Sequence, residues 1–368
     1  MKSNLLRLSC RNFRSYRALV LNFSSRFVVF QGRNGAGKTN ILEAISLFSS
    51  DRGLRKASMA DLNSLDSPAS SWNLELILQN EQYRTFLSVG VQNGRRTAKI
   101  DNDNANSLAK FEEVLWLLWV VPSMDNIFSG ALADRRSFFD HLVSGYDKRH
   151  KRRIYNLNML QKERLHVMLL RKDVNWLTVL EEKIALENIQ ITKTRLEFIE
   201  LLRKTFAEHS SNFLRPRVGI SGVIEKIYED NSEENAFLEL MCALARSRAD
   251  DAERQTTAVS AQKTLWHATA PQTNLDAENC STGEQKAFLI SIILAMARIY
   301  LRLRGGVPVL LLDDLLVRLD NGSRQSLFKE LLSLNVQTFF TGTDPYLFEE
   351  LSEVAQIYHV EKSICREV

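Results

Sequence analysis

The chain has 368 residues, 45% of them hydrophobic, and a formal net charge of +4. This length suffices for two domains or for one domain with a large insertion, and the composition is that of an ordinary globular protein. The four cysteines show no metal-ligand spacing, and the longest unbroken apolar run, 114–121, is too short to cross a membrane. We therefore expect a cytoplasmic protein without a disulfide scaffold or a membrane span.

The chain opens with short apolar segments that predict strands at 5–10, 18–23 and 27–30. The third of these leads into a glycine-rich loop, and the apolar stretch 41–45 behind the loop predicts a helix. A strand, a loop and a helix in this order are the context that a phosphate-binding loop requires.

The phosphate-binding loop, residues 32–40, has the spacing G-x-x-x-x-G-K-T. Its glycines allow backbone N–H groups to turn toward a polyphosphate, and the helix start adds its positive dipole end. We predict that Lys38 reaches the β- and γ-phosphates of ATP with a catalytic role and that Thr39 is a Mg²⁺ ligand. The predicted nucleotide contacts are Gly32, Arg33, Asn34, Gly35, Ala36, Gly37, Lys38, Thr39 and Asn40. The alternative is a turn that only joins a strand to a helix.

Further strands and helices follow the loop. Segments 74–79 and 83–91 alternate between apolar and polar residues and predict a β-hairpin. Later in the chain, residues 218–228 predict another strand pair, residues 236–247 a helix, and residues 249–280 show only a weak pattern.

No glycine or proline occurs between Tyr146 and Arg215, which predicts long helices. An apolar stripe recurs every seven residues at Leu177, Ile184, Ile191 and Phe198. We favour an intramolecular helical hairpin over a coiled-coil partner site, because Glu187 and Thr194 interrupt the second seam of the stripe.

Positive charge is concentrated between residues 134 and 172, where eleven lysines and arginines stand against four acids. On helices, such residues can contact DNA phosphates without reading the base sequence, and that binding weakens with salt. A solvated charged face is the alternative. The candidates for DNA contact are Arg135, Arg136, Lys148, Arg149, Lys151, Arg152 and Arg153, and the same basic segment also offers Arg164, Arg171 and Lys172.

The apolar run 308–312 ends in two acids, Asp313 and Asp314. Such a run is typical of a buried parallel strand whose carboxyl end meets a nucleotide. We expect Asp313 to bind Mg²⁺, directly or through water, and Asp314 to orient or deprotonate the attacking water in catalysis. A core strand that ends in a surface acid pair is the alternative.

Ser281 opens an apolar helix that runs to about Tyr300, and Glu284 completes the pattern of a capping box. Ser281 also lies 32 residues before Asp313, where ABC-type ATPases place their signature sequence. Resemblance to those ATPases implies that Ser281 of one subunit contacts the γ-phosphate held by another and takes part in catalysis. Two half-sites would then form one active site.

Two later segments are similar to motifs of the same ATPases. Asp320 occupies the place of their D-loop acid, although it fits a helix N-cap equally well. A strand predicted at 336–340 ends where these ATPases place a γ-phosphate sensor. The usual histidine is absent, so this role falls to Thr343 or Asp344.

In order and spacing, the motifs resemble the RecF family of SMC-like, ABC-type ATPases over nearly the full chain. The matching segments are Asn12 to Tyr16, Gly32 to Asn40 with Glu43 and Ala44, Asp51 to Arg55, Arg135 to Asp140, Ser281 to Ala287, Leu311 to Asp314, Leu319 with Asp320, and Thr341 to Asp344. The resemblance implies an α/β fold of the ABC/SMC head type, with a mixed sheet, flanking helices and an inserted α-helical lobe. We expect residues 1–104 and 305–368 to form the ATPase lobe and residues 105–304 the helical lobe with the signature. The further nucleotide contacts implied are Arg14, Ser281, Gly283, Gln285, Asp320 and Thr343.

The RecF resemblance also implies a function in DNA replication, DNA damage and the SOS response, and recombinational repair. Family members act as ATP-dependent homodimers on single-stranded or gapped DNA and duplex junctions, and weak, DNA-stimulated hydrolysis of ATP to ADP and phosphate controls their release. The implied partners are RecR, RecO and RecA, which is loaded onto DNA, and the implied location is the nucleoid.

This chain departs from the family at two places. Residues 259–266 lack the Gly-Pro-His-Arg-like segment that usually precedes the signature, and Asp314 stands where many ABC ATPases have a longer Glu. Two other function classes stay open. A transporter nucleotide-binding subunit would share the loop, signature and acids, and a nucleotide-dependent interaction protein would bind ATP without hydrolysing it.

Overall fold

The computed structural model describes residues 4–49, 53–64, 71–79, 83–92, 94–101, 103–105, 108–171, 173–304 and 308–368. The chain divides into two compact units. Unit 1 comprises Met1–Asp125, Ser211–Phe213 and Tyr300–Val368, and unit 2 comprises Asn126–Ser210 and Leu214–Ile299. Within the described ranges, no helix combines the length and apolar character needed to cross a bilayer.

The elements follow one another in three blocks along the chain. The first block contains β1 (Asn4–Phe13), β2 (Tyr16–Asn22), β3 (Phe27–Gln31), α1 (Lys38–Ser46), β4 (Asn73–Gln79), β5 (Arg84–Gln92), β6 (Arg95–Ile100), β7 (Asp103–Asn104) and β8 (Leu117–Val120). The second contains α2 (Leu132–Tyr146), α3 (His150–His166), α4 (Val174–Glu208), β9 (Arg217–Ser221), α5 (Val223–Asp230), α6 (Glu233–Arg246), α7 (Arg248–Arg254), β10 (Leu265–Thr269) and α8 (Thr282–Arg304). The third contains β11 (Val309–Leu312), α9 (Asn321–Leu334), β12 (Thr338–Gly342), β13 (Ala355–Glu361) and β14 (Ile364–Glu367).

Unit 1 is built on two sheets. The first is antiparallel, with the strand order β2-β1-β4-β5-β6-β7, and it contains the predicted first two strands and the predicted hairpin. The second has the order β14-β13-β3-β12-β11-β8, and its strands from β13 to β8 run parallel. Both β3 and β11 are apolar and buried along their length, as expected of strands covered on both faces.

The core of unit 1 lies between these sheets and α1. It brings together Leu8 and Leu76 from the first sheet, Val28 and Phe339 from the second, and Ile41 from α1. Because β3 and β11 lie on either side of β12, the carboxyl ends of all three strands meet at one edge of the sheet.

The strand β8 belongs to unit 1, although the lobe boundary predicted at residue 104 would assign it to the helical lobe. It pairs in parallel with β11, with Leu117 opposite Val309. The reason for the difference is that a short apolar run such as 114–121 has no clear periodicity, so a buried strand and a buried helix have the same pattern there.

The helices α3 and α4 of unit 2 form the predicted intramolecular hairpin. Arg153 Nη1 donates to Thr194 Oγ1 at 2.9 Å, and Asn156 Nδ2 donates to Glu187 Oε1 at 3.0 Å. Residues further along α3 therefore contact residues nearer the start of α4, so the two helices are antiparallel. The heptad stripe is buried at Leu177, Ile184, Ile191 and Phe198.

The strand pair predicted at 218–228 is wrong. Only Arg217–Ser221 is a strand, and it pairs with β10, whereas Val223–Asp230 is the helix α5. Ile224 and Ile227 are both buried in the same core cluster, which is a helical spacing. The long-range partner of β9 comes from the weakly patterned segment 249–280, where local sequence offers no signal for it.

Candidate functional site

The phosphate-binding loop between β3 and α1 requires glycine at two positions. A Cβ atom at residue 32 would lie 2.1 Å from the carbonyl oxygen of Val360, and one at residue 37 would lie 2.7 Å from the Tyr16 hydroxyl. Gly37 also has a φ of +110°, in the left-handed region that favours glycine. The approach of other backbone and side-chain atoms therefore leaves no room for a side chain at Gly32 or Gly37.

The start of α1 is open to an anion. Gly37 is the N-cap, and no side chain in the described part of the chain caps this helix end. Its leading N–H groups therefore remain available, and together with the helix dipole they favour a negatively charged group. Arg33, Asn34 and Gly35, the outer residues of the loop, are exposed and accessible to such a group.

Lys38 folds back over the loop. Its Nζ donates to the carbonyl oxygens of Gly32 at 2.7 Å and Arg33 at 3.0 Å. Burial lowers the pKa of Lys38, and the carboxylates of Asp314 and Asp313 act in the opposite direction. Two of the three ammonium hydrogens are used by the loop, which leaves the third for a phosphate oxygen.

Asp313 connects the loop to the end of β11. Its Oδ1 accepts hydrogen bonds from Thr39 Oγ1 at 2.9 Å and from Thr341 Oγ1 at 2.7 Å. Burial raises the pKa of Asp313, the two threonine hydroxyls lower it, and the nearby Asp314 raises it further. The buried negative charge of Asp313 is thus only partly compensated by protein groups.

Asp314, the second acid, occupies an unusual backbone conformation. Its φ of +47° lies in the left-handed region, and its N–H donates to Thr341 Oγ1 at 2.9 Å. Its Oδ1 is buried and has no hydrogen-bond partner in the described part of the chain. A buried acceptor without a partner is costly, so this oxygen is suited to accept a hydrogen bond from a bound water.

These residues fit a magnesium ion and a polyphosphate. Thr39 and Asp313 supply two oxygen ligands, the kind that Mg²⁺ prefers, and the charge of Asp313 is incompletely compensated. The described residues contain no group of three or more His, Cys, Asp or Glu that could hold a metal ion. The remaining ligands would therefore come from phosphate and water, as is usual for Mg²⁺.

Arg14, one of the implied nucleotide contacts, is bound to Glu43. Its Nε and Nη2 donate to the two Glu43 carboxylate oxygens at 2.8 and 2.7 Å, and Nη1 donates to the carbonyl oxygen of Asp61. Glu43 is 1% exposed and also accepts from Arg55, which contacts Asn40 as well. In this structure, Arg14 therefore joins the turn between β1 and β2 to α1.

The remaining candidates in unit 1 lie in turns and helix caps. Asp320 is the N-cap of α9, and hydrogen bonds from the Ser323 amide and hydroxyl lower its pKa. Asp344 accepts from the Tyr346 amide at 3.0 Å and begins the short helix Pro345–Leu351, and Thr343 is exposed. Of the motif at 51–55, residues 51 and 52 lie outside the described residues.

The signature segment in unit 2 has the geometry of a capping box. Ser281 Oγ accepts from the Glu284 amide at 3.3 Å, and Glu284 Oε2 accepts from the Ser281 amide at 2.9 Å and from its hydroxyl at 2.7 Å. These bonds lower the pKa of Glu284. Gln285 Nε2 donates to the carbonyl oxygen of Cys280, and a Cβ atom at Gly283 would meet open space. The start of α8 is therefore capped by side chains and accessible.

The basic residues of unit 2 fall into two groups. Arg135 lies against Glu278 at 3.1 Å and the carbonyl oxygen of Phe128, while burial lowers the pKa of Arg136. Near the start of α3, Lys148, Arg149 and Arg152 are exposed, Lys151 is half-buried, and Arg153 is bound to Asp147 and Thr194.

Arg164 corrects one prediction. The sequence predicts a basic residue that could contact DNA at this position, but the side chain of Arg164 is fully buried. It donates to Glu181 at 2.9 Å, to Asp251 at 2.7 Å and to the carbonyl oxygen of Leu244 at 2.7 Å. Only long-range packing reveals this role, since an exposed and a buried arginine look alike in sequence.

Thr341 is the site residue that the sequence interpretation missed. It falls within the matching motif Thr341 to Asp344, but the resemblance assigns the sensor role to Thr343 or Asp344. It is 1% exposed and contacts both acids of the site. A hydroxyl that directly follows the apolar pair Phe339 and Phe340 at the end of a buried strand is the signal that could have identified it.

Comparison with known proteins finds one family model and similarly named relatives that match nearly the full chain. Residues 4–366 match the model of the RecF/RecN/SMC N terminal domain. A DNA replication and repair protein RecF from Rhizobium etli (strain CIAT 652) is 34% identical over 366 residues, which cover 98% of this chain and 97% of the relative. The protein of the same name from Mesorhizobium japonicum is 34% identical over 367 residues, with the same coverage of each chain.

Solved structures share the fold. The recombination mediator protein RecF-ATPrS in the RecFOR pathway superposes with a TM-score of 0.86 at 22% identity, covering 100% of this chain and 98% of that one. An Smc head domain with an extended coiled coil from Pyrococcus furiosus superposes with a TM-score of 0.52 at 16% identity, covering 100% and 96%. The predicted fold, an α/β ATPase head of the ABC/SMC type with a mixed sheet and an inserted helical lobe, is confirmed.

Proposed function

Because the chain belongs to the RecF family of DNA replication and repair proteins, we propose that it is an ATP-dependent DNA-binding protein of replication and recombinational repair. One observation carries the ATP site: the 2.9 Å hydrogen bond between Thr39 Oγ1 and Asp313 Oδ1 joins two motifs 274 residues apart. The solved RecF structures of similar fold are named for ATP and an ATP analogue. ATP is held by the phosphate-binding loop, with Lys38 at its phosphates.

Hydrolysis of ATP to ADP and phosphate is assigned to the two acids and Lys38. Thr39 and Asp313 would hold Mg²⁺, which would neutralise charge on the phosphate oxygens. The free, buried Oδ1 of Asp314 orients the attacking water and accepts its proton, and Lys38 stabilises the charge on the phosphoryl group. The shorter side chain of Asp314, compared with Glu, is compatible with slow turnover, and family membership supports its stimulation by DNA.

Dimerisation depends on the signature segment of unit 2. Ser281, Gly283 and Gln285 of one subunit contact the nucleotide bound to the other. Asp320 lies between the two nucleotides of the dimer, and Arg14 and Thr343 are further nucleotide contacts. The accessible start of α8 supports this role, because its backbone N–H groups and dipole attract a phosphate and Gly283 leaves space for it. Ser281 would exchange its bond to Glu284 for one to the γ-phosphate.

DNA contacts come from the basic residues of unit 2. The exposed side chains of Lys148, Arg149 and Arg152, near the start of α3, contact phosphates of single-stranded or gapped DNA and duplex junctions without reading sequence. Lys151, Arg153, Arg135 and Arg136 are the remaining candidates for DNA contact. By family membership, RecR, RecO and RecA are the protein partners, and the nucleoid in the cytoplasm is the location.

The other function classes are distinguished by specific observations. A transporter subunit is not favoured, because the relatives that match the whole chain are named as DNA replication and repair proteins. A protein that binds ATP without hydrolysing it would make the same nucleotide contacts as an ATPase. A measurement of ATP hydrolysis therefore distinguishes the two classes. If wild type and Asp314→Asn hydrolyse ATP at equal, negligible rates with DNA present, the ATPase assignment fails.

The dimer is tested by light scattering with and without ATP, on gapped and intact duplexes. The wild type is expected to double its mass on gapped DNA only when ATP is present. Lys38→Ala should bind no nucleotide and stay monomeric, whereas Ser281→Arg should bind nucleotide and stay monomeric. An unchanged wild-type mass with ATP and gapped DNA would contradict the proposal.

A further inference from the structure

We propose that Thr341 is a positioning residue that holds both acids of the ATP site through a single hydroxyl group. The inference rests on the proposed ATP site and assigns a role to a residue that does not itself contact nucleotide in that proposal. Thr341 is the fourth residue of β12 and is 1% exposed.

The hydroxyl of Thr341 has two partners and a defined direction. It donates to Asp313 Oδ1 at 2.7 Å, because an ionised carboxylate can only accept. It accepts from the Asp314 N–H at 2.9 Å, because an amide can only donate. One hydroxyl therefore links the carboxylate of the first acid to the backbone of the second.

The backbone of Asp314 needs such support. Its φ of +47° is unfavourable for any residue other than glycine. Such a conformation persists only where contacts with the surrounding structure hold it. The hydrogen bond from its amide to Thr341 fixes the turn directly after β11. The direction of the Asp314 carboxylate follows from this turn, and so does the position of the buried Oδ1 that is free to accept from water.

The place of Thr341 in the sheet extends the link to the phosphate-binding loop. The strand β12 lies between β3 and β11, and Thr341 is opposite Phe30 near the end of β3. The next residue, Gly342, accepts a hydrogen bond from the Gly32 amide through its carbonyl oxygen at 3.2 Å. The end of β12 thus contacts both the first residue of the loop and the two acids.

Asp313 is held from two sides. Thr39 donates to the same oxygen, Oδ1, from the loop, and Thr341 donates from the sheet. Removing the Thr341 hydroxyl leaves Asp313 with one of these two donors and leaves the partly buried Asp314 N–H without its acceptor. The proposed site then keeps its phosphate contacts and loses the alignment of its acids.

The test uses variants that differ by one hydroxyl. Thr341→Val and Thr341→Ala remove it, and Thr341→Ser retains it. The matched control is Thr338→Val on the same strand, because Thr338 is fully buried and its hydroxyl contacts only the carbonyl oxygen of Val336 among the described residues, at 3.4 Å. Measured quantities are the affinity for a fluorescent ATP analogue without metal, the Mg²⁺ concentration that half-saturates its binding, kcat and KM.

We expect the substitutions to leave binding of the phosphates unchanged and to impair the functions that depend on the two acids, which are Mg²⁺ binding and hydrolysis. Thr341→Val and Thr341→Ala should keep the metal-free affinity within about twofold, raise the half-saturating Mg²⁺ concentration about tenfold or more, and lower kcat about tenfold or more. Thr341→Ser should restore wild-type values, and Thr338→Val should not depart from them. A crystal structure of Thr341→Val should show that Asp314 has left the left-handed conformation.

Two outcomes would overturn the inference while the proposed function stands. In the first, Thr341→Val and Thr341→Ala have the same Mg²⁺ requirement and kcat as Thr338→Val. In the second, Thr341→Ser loses as much Mg²⁺ affinity and kcat as Thr341→Val, although all variants melt at the wild-type temperature. If the wild type itself binds no ATP analogue with or without Mg²⁺, the proposed function and the inference fail together.

Discussion

The replacement Arg164→Met tests whether this arginine is a buried structural residue or part of the DNA surface. Its side chain is 0% exposed, and its partners Glu181 and Asp251 are each 1% exposed. Methionine has a similar length and no charge, so it fills the space of the alkyl stem but leaves the carboxylates without the guanidinium. We expect destabilisation of unit 2 rather than a direct loss of DNA contacts.

The magnitude follows from the partners that remain. Breaking a buried ion pair by removing one member costs about 3–5 kcal/mol. Glu181 keeps Arg248 at 2.6 Å, and Asp251 keeps the Ser247 hydroxyl at 2.7 Å and the Ala258 amide at 2.8 Å. Because both acids retain donors, we expect the lower end of the range, about 3 kcal/mol.

Hydrogen exchange measured by mass spectrometry is the suitable assay, because it resolves unit 2 from unit 1. A loss of about 3 kcal/mol corresponds to roughly a hundredfold faster exchange of the most protected amides in α3 and α4. The control is Arg149→Met. Arg149 pairs with Asp147 at 3.3 Å, but its side chain is 77% exposed, so we expect a change below about 0.5 kcal/mol.

Two results would refute this reasoning. In the first, Arg164→Met exchanges as slowly as Arg149→Met in α3 and α4. In the second, its exchange is unchanged but its DNA affinity becomes less dependent on salt, as expected of one lost phosphate contact. A double-mutant cycle with Asp251→Asn should give a coupling free energy of about 1 kcal/mol or more, since the two side chains are in direct contact.

Three further predictions concern the site. Burial raises the pKa of Asp313 in the folded state, so the nucleotide-free protein should lose stability as the pH rises through the titration of this carboxyl group. In thermal melts, Asp313→Asn should lack this pH dependence and should no longer be stabilised by Mg²⁺. Gly37→Ala should abolish nucleotide binding and lower the melting temperature more than Gly35→Ala, because φ is positive at both positions but only a Cβ at residue 37 meets an atom, 2.7 Å away. Ser281→Ala should destabilise the start of α8 by about 1 kcal/mol, seen as faster amide exchange there, whereas Ser281→Asp, which keeps a capping oxygen, should not.

Local patterns predicted several features correctly because their causes lie within a few residues. The capping box of Ser281 and Glu284 depends on a spacing of three residues, and the N-cap of α9 at Asp320 is equally local. The hairpin of β4 and β5 follows from alternation and a polar turn. The helical hairpin of α3 and α4 follows from a long segment without glycine or proline and from its apolar stripe.

Other features depended on contacts between residues far apart in the chain. The strand β9 pairs with β10, which lies more than forty residues later in the chain. The sequence around β9 therefore gives no sign of this pairing. Arg164 is buried because Asp251 and Glu181 reach it from other helices, and no neighbouring residue indicates this.

The site shows the same division. The sequence by itself determined that a phosphate-binding loop precedes α1 and that two acids follow β11, because glycine conformation and apolar runs are local properties. Only the tertiary structure decided that Thr39 and Thr341 donate to one oxygen of Asp313 and that Asp314 takes a left-handed conformation. The physical reason is that β12 pairs between β3 and β11, and strand order depends on packing of the whole sheet rather than on any one segment.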